Sequence, residues 1–125
     1  NPLGCAVAIA AIDVVESERL SERSLEMGEY FLAGLKKLKI PQLKELRGRG
    51  LFIGLELNTE ARPYCEKLKE RGILCKETHV NTIRFAPPLI IGKPELDFAL
   101  ERVRDVFAAP ATAPAPATAI PFCEK

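Results

Sequence analysis

The chain has 125 residues, 47% hydrophobic and 28% charged, with a formal net charge of +1; that is one domain's worth of chain with a modest core. Balanced charge gives no electrostatic reason for a nucleic-acid partner, and no apolar run approaches the ~20 residues of a membrane-spanning helix. The opening "NPLGCAVAIAAIDVV" lacks the basic start and small-residue cleavage site of a secretory leader, so a soluble intracellular protein is expected.

The chain opens on Asn1 and Pro2 with no initiator methionine, directly in front of a helical pattern, and so reads as a segment of a longer protein. Asn1 suits an N-cap and Pro2 a first helical position. Cys5, Ile9, Ile12 and then Val15 or Glu16 follow near-helical spacing, and Ala6, Ala8, Ala10 and Ala11 keep this helix thin enough to pack on more than one side. Ser17 to Ser21 predicts a break. A second helix follows, with Leu25, Phe31, Leu32, Leu35 and Leu38 on its apolar side; Gly28 weakens it without ending it, and Pro41 marks the exit.

In "LKELRGRGLFIGLEL" two strands are expected, with Leu51, Ile53, Leu55 and Leu57 alternating and Gly48, Gly50 and Gly54 allowing a sharp turn or bulge. Residues 60–71 return to a helical pattern with Ala61, Tyr64, Cys65 and Leu68 inward and Gly72 as its stop. "ILCKE" reads as a strand, "THVN" as a turn and Thr82 to Ala86 as the next strand, ended by Pro87 and Pro88. A last helix starts near Pro94 and packs through Leu96, Ala99, Leu100, Val103, Val106 and Phe107; the Pro/Ala/Thr-rich 109–125 reads as a flexible tail. The order helix, helix, strand, strand, helix, strand, strand, helix gives an α+β fold class: a two-layer domain over 1–108 with a mostly antiparallel sheet covered by helices.

Four features can carry chemistry. Lys36, Lys37, Lys39, Lys44, Arg47 and Arg49 concentrate positive charge, either as an anion-binding surface or as solvated helix-end and hairpin residues without stacking aromatics. His79, the single histidine, is a general base by type and a turn residue by position. Cys5, Cys65, Cys75 and Cys123 form no CxxC pair, which favours reduced thiols over zinc or a disulfide framework; Cys75 reads as a packed thiol rather than a nucleophile. Arg84 lies in "TIRFAPPLII", with Ile83 and Phe85 on one strand face and Thr82, Arg84 and Ala86 on the other. On the strand pattern it either points to water or presents a rigid bidentate guanidinium to a carboxylate, with Pro87 and Pro88 holding the backbone behind it.

The blocks "NPLGCAVAIAAIDVV", "LRGRGLFIGLEL", "RGILCKETHVNTIRFAPPLII" and "ELDFALERV" resemble the C-terminal small domain of the class III pyridoxal-phosphate aminotransferases, over about residues 1 to 107. "NPLGC" and "RGRGLFIGLEL" are similar across that family. "CKETH" ahead of "TIRFAPPL" is nearer to the branch that moves the δ-amino group of L-ornithine to 2-oxoglutarate, giving glutamate-5-semialdehyde and glutamate. Acetylornithine and 4-aminobutyrate branches are the alternatives.

The resemblance implies a fold-type I homodimer using pyridoxal 5'-phosphate, bound mainly by a large domain upstream. It implies that Arg84 binds a carboxylate of 2-oxoglutarate and is held by a large-domain glutamate while ornithine is bound. None of Lys36, Lys37, Lys39, Lys44, Lys67, Lys69, Lys76, Lys93 or Lys125 sits in a matching motif for the catalytic lysine. That residue is expected upstream, and the segment alone is expected to be inactive. A stand-alone carboxylate-binding module using Arg84 and a purely structural dimerisation domain remain alternatives. Cytoplasm and mitochondrial matrix both suit reduced thiols.

Overall fold

The computed structural model describes residues 1–108; the tail expected at 109–125 lies outside the described residues. Asn1 Oδ1 accepts a hydrogen bond from Gly4 N–H at 2.8 Å and starts helix α1, Pro2–Ser17. The break expected at Ser17–Ser21 falls on Arg19, whose left-handed φ of 50° turns the chain into helix α2, Leu20–Lys37. Glu22 in the first turn of α2 and Lys36 and Lys37 in the last complement the helix dipole.

Strands β1, Leu43–Arg49, and β2, Phe52–Leu57, form a hairpin whose turn contains Gly50 at φ 55°. The bulge is not at the glycines: the register shifts between Leu43 and Glu45, while Gly48 and Gly54 sit in regular ladder positions. Helix α3 follows, Arg62–Glu70, and Gly72 at φ 85° takes the chain out of it. Strand β3 is shorter and later than the pattern "ILCKE" predicts, spanning Lys76–Thr78, because its backbone finds a partner only opposite the Thr82–Arg84 part of β4, Thr82–Phe85. Helix α4 is Lys93–Ala108.

The sheet order is β1-β2-β4-β3 and every pairing is antiparallel. Between β3 and β4, His79 and Val80 both have positive φ, 50° and 66°. That is a strained conformation, above all for a β-branched residue. Two backbone bonds hold it: Ala61 N–H donates to Val80 O at 2.9 Å and Leu57 N–H to Asn81 O at 2.8 Å. The start of α3 and the end of β2 thus fix the turn that carries His79.

Helices α2, α3 and α4 cover one sheet face. Ile53, Leu55 and Leu57 from β2 and Ile83 and Phe85 from β4 meet Phe31, Leu35, Leu68, Leu96, Val103 and Val106, all buried. Each fully buried aliphatic side chain contributes about 1.5–3 kcal/mol relative to exposure. Phe31 meets Phe85 edge to face at 5.9 Å between centroids, and Tyr64 stacks on Phe107 at 4.7 Å. The apolar side of α2 is read correctly at Phe31 and Leu35 but not at Leu25, which is exposed; Met27 and Gly28 are buried instead. Gly28 has a packing reason, since a Cβ there would overlap the Gly50 carbonyl of the hairpin turn.

Helix α1 departs most from expectation. Rather than packing on more than one side, it has no buried residue, and Leu3, Val7, Ile9 and Ile12 stand exposed. Among the described residues no helix is long and apolar enough to cross a membrane.

Candidate functional site

Because side chains alternate across a strand, burying Ile53, Leu55, Ile83 and Phe85 under the helices turns Phe52, Gly54, Glu56 and Arg84 to the opposite face. Strand pairing then sets a cross-sheet row: Arg47 of β1 is the partner of Gly54, Gly54 of Arg84, and Arg84 of Lys76 on β3. Three cationic residues and one glycine thus span the four strands.

Over this row lies an open cavity of about 420 Å³, with Arg47, Arg49, Phe52, Gly54, His79 and Arg84 among its lining residues. Arg84 is half-buried, and its guanidinium carbon is 5.8 Å from the Phe52 ring centroid, a cation–π arrangement that leaves the donor edge of the guanidinium open. Among the described residues no carboxylate pairs with Arg84 or Arg49.

Arg47 is different. Its Nη1 lies 2.6 Å from Glu56 Oε2 and 2.9 Å from Glu45 Oε2, and Lys44 Nζ lies 2.5 Å from Glu56 Oε1. Bonds from Lys44 and then Arg47 hold the Glu56 carboxyl down at about 2, and the bond to Glu56 raises the Arg47 pKa. Arg47 is therefore neutralised at the cavity edge while Arg84 is not.

The loop behind Arg84 is fixed from α2. Arg23 Nη2 donates to Ile90 O at 3.1 Å and to Ile91 O at 2.9 Å, three to four residues past Pro87. Prolines and guanidinium together restrain the chain that leaves β4.

The remaining sequence candidates separate. Of the basic cluster, Lys36 and Lys37 end α2, Lys39 is exposed in the connection after it, Lys44 and Arg47 are paired to carboxylates, and Arg49 reaches the cavity, so the six do not form one cationic surface. His79 is both a turn residue and part of the cavity wall. Cys75 is half-buried and hydrogen-bonded to the buried Cys65; sharing its proton with that sulfur, together with burial, raises its pKa, which disfavours the thiolate a nucleophile needs. Among the described residues no lysine lines the cavity. Phe52 and Gly54 carry no signal in the sequence that marks them as site residues. The alternation of 51–57 does turn them away from the core, but only the strand pairing puts Gly54 opposite Arg84 and the Phe52 ring within reach of its guanidinium.

The profile described as "Aminotransferase class-III" matches residues 1–107. The chain is 66% identical over 108 residues to an ornithine aminotransferase of Geobacillus sp., covering 86% of this chain and 27% of that protein. It is 67% identical over 106 residues to one of Brevibacillus brevis, covering 85% and 27%. Among solved structures, an acetylornithine aminotransferase from Elizabethkingia anophelis superposes with a TM-score of 0.82 at 40% identity, covering 86% of this chain and 30% of that one. An ornithine aminotransferase from Toxoplasma gondii, described with partial occupancy of pyridoxal phosphate at its active site, superposes with a TM-score of 0.80 at 39% identity, covering 86% and 27%. The chain thus spans about a quarter of the length of the curated relatives it matches, 27% in both cases.

Proposed function

The chain belongs to the class III aminotransferases, and from that we propose that it is the small domain of a pyridoxal-phosphate-dependent ornithine aminotransferase, exchanging the δ-amino group of L-ornithine for the keto oxygen of 2-oxoglutarate. In this reading Arg84 binds a carboxylate of the keto acid. The observation that carries it is a half-buried guanidinium, unpaired among the described residues, on the open sheet face between Gly54 and Lys76. A carboxylate entering the cavity meets a planar fork of donors whose backbone is held by β-pairing on both sides.

The described residues do not themselves fit pyridoxal phosphate. The cofactor needs a lysine amine and a phosphate cradle; no lysine lines the cavity, and the N-terminus of α1 is filled by its own Asn1 cap. We therefore assign the cofactor to a large domain outside these residues and derive no chemical step through it here. The exposed apolar side of α1 supports docking of that domain, since Leu3 is 74% and Ile9 61% exposed on a helix with nothing buried. The assembled protein is read as a homodimer in the cytoplasm or mitochondrial matrix, where its thiols stay reduced.

The test uses the full-length protein. Loaded with pyridoxal phosphate, it is given L-ornithine without a keto acid while the cofactor absorbance is followed, then 2-oxoglutarate is added. Conversion by ornithine, but little by N-acetylornithine or 4-aminobutyrate, is expected. Arg84→Ala should slow the return by 2-oxoglutarate about 10- to 150-fold, the equivalent of the ~1.5–3 kcal/mol of hydrogen bonds to a charged group. Arg84→Lys keeps the charge without the fork and should fall between. An unchanged return in Arg84→Ala removes Arg84 from the substrate site, and no response to ornithine removes the substrate assignment.

A further inference from the structure

Gly54 occupies the centre of the cationic row, and nothing in the fold explains it. It is a regular ladder residue of β2, paired to Arg47 on one side and Arg84 on the other, and its φ is not among the positive ones. A glycine inside a strand weakens it by its unfolded-state entropy and lack of packing, so a retained one signals a bend, a bulge or a close approach. None of these applies: the register runs unbroken from Ile53 to Glu56 against β4. Nor is the space closed. A Cβ at 54 would stand 3.5 Å from Thr82 Cγ2, 3.8 Å from Arg47 Cγ and 3.9 Å from Arg47 O, all ordinary contacts. Gly28 and Gly48, by contrast, meet neighbours at 3.0 Å or less.

What a side chain at 54 would change is the cavity. The two residues before and after it on the core face, Ile53 and Leu55, are fully buried, so a side chain at 54 would project to the open face between Arg47 and Arg84, into the space that Gly54 now floors. We propose that Gly54 is a specificity-determining residue of the carboxylate site: its missing side chain reserves the volume beside Arg84 into which a carboxylate of a dicarboxylic keto acid enters. Glu56 and Glu45 hold Arg47 at the edge, so of the two cations that flank Gly54 in the sheet, Arg84 is the one with no carboxylate partner among the described residues.

This inference rests on the reading of Arg84 as a carboxylate-binding group, and the experiment separates the two. In the full-length holoenzyme, the rate constants of the L-ornithine and 2-oxoglutarate half-reactions are measured for the unaltered protein, Gly54→Ala, Gly54→Val and Arg84→Ala, with thermal midpoints to check folding. Gly54→Val should shift the ratio of the two against 2-oxoglutarate by about tenfold or more, the discrimination a misfitted apolar group imposes in a packed pocket, with a thermal midpoint at or above that of the unaltered protein. Gly54→Ala, whose Cβ meets only ordinary contacts, should shift the ratio the same way by less. If Arg84→Ala shifts the ratio and neither Gly54 variant does, the floor role is overturned while the carboxylate site stands. If Gly54→Val fails to fold, the absence of a shift in Gly54→Ala overturns it equally. An unchanged ratio in Arg84→Ala overturns both.

Discussion

Replacing Gly28 by alanine sets two effects of known sign against each other. Helix propensity favours alanine in the interior of α2 by about 0.8–1 kcal/mol. Packing opposes it, because the new methyl would overlap the Gly50 carbonyl and stand 2.7 Å from Gly50 Cα, whereas carbon atoms are comfortable at about 3.5–4.0 Å. Both partners are backbone, so relief requires moving α2 off the hairpin turn by about 1 Å rather than rotating a side chain, and overpacking of this kind costs about 1–3 kcal/mol. The same movement stretches the bond from Leu51 N–H to Ser24 Oγ, now 3.2 Å, which is worth about 1 kcal/mol. The sum is a destabilisation of about 1–3 kcal/mol, against the sign that propensity alone gives. Urea denaturation of the full-length protein, followed by fluorescence, measures it. Ser24→Ala combined with Gly28→Ala should cost less than the two separate losses added, since the first change removes a bond the second already strains. A midpoint that is unchanged or raised in Gly28→Ala would refute the close approach. Because the same turn carries Arg49 and Phe52 into the cavity, a weaker interaction with 2-oxoglutarate should accompany the loss.

Two further outcomes are expected. Glu56 has its pKa lowered to about 2 by Lys44 and Arg47, so its stabilising effect is complete above the ordinary carboxylate pKa of about 4.3 and is lost as pH falls from there toward 2. The thermal midpoints of the unaltered protein and Glu56→Gln should therefore differ at pH 6 and converge on acidification to about pH 2.5, and a constant gap across that range would contradict the pairing. Cys5 lies exposed on α1 here; if the large domain covers that helix, maleimide should label Cys5 rapidly in the 125-residue chain and slowly in the native full-length protein. Equal rates, read by peptide mass spectrometry, would count against docking through α1.

The local order of this domain is legible in the sequence because it depends on neighbours along the chain. Asn1 and Pro2 cap and start α1, Leu51 to Leu57 alternate as β2, and Gly72 takes up the left-handed φ that ends α3. Such signals are short-range: a cap or an alternation is complete within a few residues. The blocks around "NPLGC" and "TIRFAPPL" likewise place the chain in its family without any coordinates.

Other features needed the third dimension. Leu25 and Leu35 look alike on the spacing of α2, yet one is exposed and the other buried, because the hairpin turn pressing on Gly28 sets which side of the helix faces the sheet. β3 is only as long as its partner allows. Arg84 is a water-facing strand residue or a binding group on sequence alone; pairing decides its surroundings, setting Gly54 and Lys76 beside it and leaving Arg47 tied to Glu56. Residues 47, 54, 76 and 84 are distant in sequence and carry no shared local pattern. Only the strand order β1-β2-β4-β3 brings them into one row, because register is a relation between strands and not a property of any one of them.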